Sequence, residues 1–258
     1  MTLRILVCVK RVPAPGTRIN VTADGQAVDT THLGFTTSPH EECAVEAAVH
    51  LVEANGGEAT VLTLGGEESL EQVRDALAVG CSAAVRIDAD ADRFGPADVA
   101  AAVADVVRQQ EAGGTGYDLI LLGNDAADTG DFQVGVRLAY ALGRPVVTGI
   151  GSLEVSGATV TARGDGPAGT EVFELDLPAV ITVLEGGVSP RYPSIPGRMK
   201  AKRAPVETVA PAREPVGGGR VRLKLPPAQP SQVEILGQGA DAAPAVVDLL
   251  QQLGVVSR

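Results

Sequence analysis

The chain has 258 residues, 45% of them apolar, enough for one large domain or one domain with appendages. Aromatic residues make up 3% and tryptophan is absent, so the core must be built from Ala, Val, Leu and Ile. The formal net charge of −11 excludes the basic footprint that nucleic acid binding needs.

Leu3–Val9 is a short apolar run that reads as a buried parallel strand. Ile19–Val21 and Gln26–Val28 flank Asp24-Gly25, a hairpin signal. Ser38-Pro39 opens a helix with serine at the cap and proline at the first helical position, and Glu41 completes a capping-box spacing. Ala44, Ala47, Ala48 and Leu51 form its apolar face, and Asn55-Gly56-Gly57 ends it. The alternation then repeats, with strands at Ala59–Leu64, Ala83–Ile87 and Asp118–Gly123. Helices follow them at Glu67–Val79, Pro96–Gln110 and Asp131–Leu142. Such alternation predicts a parallel sheet with helices on both faces. After Pro145-Val146-Val147 and Gly151 the apolar period changes to two. Leu153, Val155 and Val160, then Glu171–Leu175, predict an antiparallel hairpin before a last core strand at Ala179–Val183.

Pro190–Arg203 is unusual. Three prolines exclude helix interior and central strand. Tyr192, Ile195 and Met199 sit among Arg191, Arg198, Lys200, Lys202 and Arg203. Apolar anchors inside a basic rim suit a docking surface as well as a solvated linker. Nine Lys/Arg against two acids between Gly187 and Lys224 make this a basic strip on an acidic body, which points to an acidic protein partner. Beyond Pro205, prolines and Gly217-Gly218-Gly219 predict an arm without its own core. Its end, Asp241–Leu253, has apolar residues at helical spacing. The expected division is 1–189, 190–204 and 205–258.

An α/β sheet binds ligands at the carboxyl ends of its strands. Those ends are Cys8-Val9-Lys10, Leu64-Gly65 and Gly123-Asn124-Asp125, with the helix start at Ser38-Pro39 nearby. Neither a GxGxxG fingerprint nor a P-loop is present, so a nucleotide would be held by backbone contacts. The polar loop Gly123–Gly135 reads either as an ordinary connection with cap residues or as a nucleotide cradle. Cys8, Cys43 and Cys81 have no metal-ligand spacing and suit reduced thiols in a cytoplasmic protein. No catalytic constellation appears: His32, His40 and His50 form no triad, although His40 could touch a ligand. The start of the chain has neither a secretory signal pattern nor an apolar run long enough to span a bilayer, so direct membrane insertion is not expected.

As a set, these segments resemble the beta subunit of electron transfer flavoprotein. Pro190–Lys202 is similar to the family's recognition loop P-R-Y-x-x-L-P-x-I-M-K-A-K, with Ile195 at the leucine and Arg198 at the isoleucine. Gly123, Ala126, Asp128, Gln133 and Gly135 match the loop G-K-Q-A-I-D-D-D-x-N-Q-T-G, whereas Phe132 replaces asparagine and Val134 threonine. Gln133-Val134-Gly135 is also similar to the electron-bifurcating form D-G-D-T-A-Q-V-G-P. Val9–Pro13, Ser38–Glu46, Ala76–Gly80 and Arg163–Val180 resemble further family segments. The resemblance implies a Rossmann-like doubly wound fold with an extended C-terminal arm docking on an alpha subunit that carries most FAD contacts. It implies AMP in this chain, or a second FAD in the bifurcating form. The nucleotide contacts it implies are Cys8, Ser38, Pro39, His40, Glu41, Leu64, Gly65, Gly123, Asn124, Asp125, Asp128, Thr129, Gly130, Asp131, Phe132, Gln133 and Val134. Partner docking falls to Arg191, Tyr192, Ile195, Pro196, Met199, Lys200 and Lys202. The implied role is an electron carrier from flavin dehydrogenases of the acyl-CoA type, as in fatty acid oxidation, to a quinone oxidoreductase. A free-standing adenine-nucleotide module is the rival reading.

Overall fold

The computed structural model describes residues 2–219, 221–227 and 233–256. Arg220 of the basic strip and residues 228–232 and 257–258 of the arm lie outside them. The chain divides into two units, Met1–Leu223 and Lys224–Arg258, so the first runs past the boundary that composition suggests at 204/205.

In the first unit, β1 (Leu3–Cys8) leads through a ribbon of β2 (Arg11–Pro13) and β3 (Phe35–Thr37) to α1 (Pro39–Asn55). Then come β4 (Gly57–Leu64), α2 (Leu70–Val79), β5 (Ala83–Ile87), α3 (Pro96–Ala112), β6 (Leu119–Gly123) and α4 (Val134–Leu142). After β7 (Val146–Ile150), a separate antiparallel sheet is formed by β8 (Ser152–Ser156), β9 (Thr159–Gly166) and β10 (Gly169–Asp176). The chain returns with β11 (Ala179–Val183), α5 (Ile195–Arg203) and β12 (Glu207–Val209).

The central sheet has seven strands in the order β12-β5-β4-β1-β6-β11-β7, and every neighbouring pair is parallel. From β1 the chain winds outward through β4 and β5, then returns to the other side of β1 as β6. This reversal puts a switch point between β1 and β6, where open α/β sheets leave a crevice at the strand ends. Side chains alternate across the sheet as the pleat requires. Leu3, Ile5, Val7, Leu119 and Leu121 face one core with α1, α2 and Ala201 of α5. Leu6, Ile120 and Leu122 face a second core with α3 and α4. The β8–β10 sheet lays Val160 and Ala162 against the first.

Four expectations are corrected. The hairpin around Asp24-Gly25 shrinks to a single bridge, Val21 to Val28, because it has no apolar face to bury. Asp131–Gln133 stay in the loop, and α4 starts at Val134. Pro190–Arg203 is not wholly extended, for Ile195–Arg203 is helical. Ser194 caps that helix by accepting the Gly197 N–H at 3.1 Å, and Pro196 sits in the first turn, where no N–H is needed. Finally, the arm beyond Pro205 supplies the edge strand β12, too short and too closely flanked by Pro205 and Pro211 to be read from pattern. Arg213 then pairs with Asp105 of α3, the Val216 and Gly217 N–H groups bond Asp98, and the Leu223 N–H donates to Gly25 O.

In the second unit a 3-10 turn, Gly239–Ala242, leads into α6 (Ala243–Gln252). Val246, Val247 and Leu249 are exposed, and no residue of the helix is buried.

Candidate functional site

Polar groups converge where β1, β6 and β11 end and α1 and α4 begin. The closure depends on Gly123: a Cβ there would stand 2.7 Å from Glu41 Cγ and 3.1 Å from His40 Cβ. Glycine therefore lets the first turn of α1 lie against the end of β6. Ser38 is the N-cap residue of α1, but its hydroxyl caps nothing: Oγ is buried and has no partner among the described residues. The expected capping box is thus half made. Glu41 Oε2 accepts the Lys10 N–H at 2.8 Å, which ties the end of β1 to α1, and the Ser38 N–H also bears on the carboxyl.

Burial dominates the electrostatics here. It pushes the Glu41 carboxyl from 4.5 to about 8, against the pull of the Lys10 and Ser38 N–H groups and the Lys10 charge, with Asp128 adding to the rise. Burial, then Glu41, pushes the Cys8 thiol to about 12, so Cys8 is inert wall rather than nucleophile. His40 Nδ1 accepts the Glu185 N–H at 3.0 Å, which leaves its proton on Nε2. That nitrogen lies 2.6 Å from Asp125 Oδ1, a pair by distance rather than an aligned hydrogen bond. Lys10 Nζ meets Asp128 Oδ1 at 2.7 Å.

The loop is braced from within. Thr182 on β11 donates to Asn124 Oδ1 at 2.7 Å, Gly130 N–H to Ala126 O at 2.7 Å, and Thr129 to Asp131 Oδ2 at 2.9 Å. Phe132 is exposed and Val134 begins α4. Gln133 Oε1 accepts from Arg137 Nε at 3.0 Å and from its terminal nitrogen at 2.8 Å. Arg137 escapes sequence reasoning. Its only signal is a cation in a first helical turn, where the dipole disfavours it. Leu64 and Gly65 lie at a strand end, but Gly65 N–H donates to Ile87 O and Gly65 O accepts from Arg86, both at 3.0 Å. Both Gly65 backbone groups are therefore taken by β5, and the buried Arg86 that holds them is a second residue the pattern does not reveal. Two shallow concavities of about 230 and 360 Å³ lie elsewhere, at Thr17–Leu33 and between α3 and α4.

The expected docking residues divide in two. Arg191 is not free to steer: its N–H and Nε bond the buried Glu46 at 2.8–3.1 Å, and its terminal nitrogens bond Glu53 at 2.7 and 2.9 Å. It pins the segment to α1. Tyr192, Ile195 and Met199 are exposed, at 95%, 77% and 61%. Ile195 and Met199 share a face of α5 at i, i+4 spacing. α5 is seated on α2 through Gly197, where a Cβ would strike Ala78 O, and through Arg74, which donates to Ala201 O at 2.5 Å. Pro196, Lys200 and Lys202 are exposed beside the apolar pair.

Fold and cluster define a Rossmann-like α/β protein whose polar groups gather at the switch point of a parallel sheet. The profile of the electron transfer flavoprotein domain matches residues 27–214. The chain is similar to the electron transfer flavoprotein subunit beta of Syntrophomonas wolfei, 35% identical over 238 residues, 91% of this chain and 90% of that one. It is 40% identical to that of Bacillus subtilis over 172 residues (66% and 65%) and 33% identical to the human one over 213 residues (81% and 82%). The chain belongs to the electron transfer flavoprotein beta-subunit family.

Proposed function

We propose that this chain acts as the beta subunit of a heterodimeric electron transfer flavoprotein in the cytoplasm. It holds an adenine nucleotide at the strand-end cluster and presents α5 to a flavin dehydrogenase of the acyl-CoA type. The alpha subunit holds most of the FAD, which when bound carries the electrons onward to a quinone oxidoreductase. The amphipathic α6 docks on that subunit. Among the described residues no helix is long and apolar enough to cross a membrane.

The residues present fit a nucleotide. Ser38 Oγ is a buried donor without a partner among the described residues. Gln133, Arg137 and the free N–H groups at the start of α4 suit phosphate. Asp125 and Asp128, on the other side of the cluster, suit ribose hydroxyls better than phosphate. The chain's own work is to bind and orient that nucleotide and to dock the donor. The observation that carries the docking role is α5: a short helix locked onto α2 and fixed upstream by Arg191, with its apolar residues turned outward. Preorganised anchors of this kind lose little entropy on binding.

The test is the ligand released when the purified heterodimer is denatured. One AMP and one FAD per heterodimer support the reading. Two FAD put a second flavin in this chain, the bifurcating alternative. Flavin without any nucleotide from this chain overturns the site.

A further inference from the structure

We propose that Glu41 meets the bound nucleotide as a neutral carboxylic acid whose hydroxyl donates a hydrogen bond to an acceptor atom of the ligand, so that the chain recognises an unprotonated ring nitrogen or ribose oxygen there and releases the ligand in alkali. The inference rests on the nucleotide site proposed above.

Glu41 lies in the first turn of α1, 8% exposed, and its oxygens take hydrogen bonds from the backbone of Lys10 and Ser38. The groups facing it are few. From the end of β1 come Cys8 and Lys10, from the β6–α4 loop Asp125 and Asp128, from α1 itself His40, and from β6 the uncharged Gly123. Cys8 is a neutral thiol. Lys10 turns its ammonium to Asp128 at 2.7 Å, and His40 accepts the Glu185 N–H on Nδ1 with Nε2 close to Asp125. Among the described residues no cation forms an ion pair with Glu41, and the Lys10 charge that reaches it is already engaged by Asp128. A carboxylate there would therefore be buried without a paired counter-charge, and two backbone N–H groups do not offset that cost. Burial accordingly holds the proton on the acid up to about pH 8. Gly123, lacking a Cβ, leaves room for Glu41 Cγ against the end of β6.

A neutral acid has one O–H to place. The carboxylate that bears on Glu41, Asp128, is already engaged by Lys10. The hydroxyl is left for whatever occupies the site. In the family segment that Ser38–Glu46 resembles, this position is a cysteine, so the sequence motif does not announce the donor.

The experiment measures AMP binding by calorimetry to the nucleotide-stripped heterodimer between pH 7 and 9. This window lies above the second phosphate ionisation near 6 and the ordinary histidine range near 6.5. If only the protonated acid binds, the competent fraction falls from about 0.9 to about 0.1, and the apparent Kd rises roughly tenfold. Glu41→Gln keeps a permanent donor of the same shape. It should bind within a few-fold of the parent at pH 7 and show no rise by pH 9. The parent should also take up close to one proton per AMP near pH 9, read from buffers of different ionisation heat, and the variant none. A flat parent profile, or the same rise in Glu41→Gln, overturns the proposal while leaving the site intact. AMP that fails to bind either protein at any pH overturns the site and this inference with it.

Discussion

Asp98 is one of the side chains that hold the segment after Pro211 to α3. Its carboxylate accepts the Gly95 N–H at 3.0 Å at the start of α3, the Val216 N–H at 3.0 Å and the Gly217 N–H at 2.8 Å. Asp98→Ala removes all three bonds. Losing the interaction at the helix start costs about 1 kcal/mol. The two bonds to the arm are charge-assisted but reachable by solvent, so each is worth about 0.5–1 kcal/mol rather than the buried value. The sum is about 2–3 kcal/mol, which lowers Tm by roughly 4–12 °C for a unit of this size. Thermal unfolding followed by circular dichroism reads the shift, and limited proteolysis reads its location, with new cleavage between Pro211 and Leu223. The Val216, Gly95 and Gly217 N–H groups also hold the carboxyl below its ordinary value. A depressed carboxyl stabilises the fold above the unfolded value near 3.9, and that contribution is lost as pH falls through the lower folded value. The variant should therefore lose less stability than the parent on acidification below about pH 4. A Tm within 1 °C of the parent at neutral pH, with an unchanged cleavage pattern, would refute the strap.

Ile195→Ala removes an exposed aliphatic anchor whose burial is worth roughly 1.5–3 kcal/mol. Steady-state electron transfer from an acyl-CoA dehydrogenase should show an apparent affinity on the order of tenfold weaker or more, with nucleotide content unchanged; equal affinity would make α5 a mere connection. Arg191→Ala removes the guanidinium from the buried Glu46, which keeps the backbone N–H of residue 191 at 2.9 Å and His50 Nε2 at 2.8 Å. Discounted for the exposed half of the network, the cost is about 2 kcal/mol, and dehydrogenase affinity should fall although Ile195 is untouched; a change in Tm without one in affinity would separate pinning from docking. Gln133→Ala should weaken retention of AMP in the purified heterodimer with Tm held nearly constant, and an unchanged nucleotide content would move the site.

The alternation of apolar runs and helices in this chain is dictated by local periodicity, and β1, β4, β5, β6 and β11 are legible for that reason. The motif segments that carry the family resemblance are likewise legible, because motif spacing is itself a property of the sequence. What the chain order does not contain is the order of strands. β11 slips between β6 and β7 after a three-stranded excursion, and β12 reaches back from a proline-rich stretch to the far edge. Both placements are settled by which edge still has unpaired backbone groups, a long-range matter. At 190–203 proline's cost depends on its position within the helix, and Ser194 sets the helix start where Pro196 is harmless. Arg191 looked like a surface cation until α1 brought Glu46 and Glu53 to it. Glu41 looked like half of a capping box until Gly123 and Lys10 closed over it. A side chain's type is written locally, but its charge state and its partners depend on what else is desolvated beside it, and only the tertiary structure decides that.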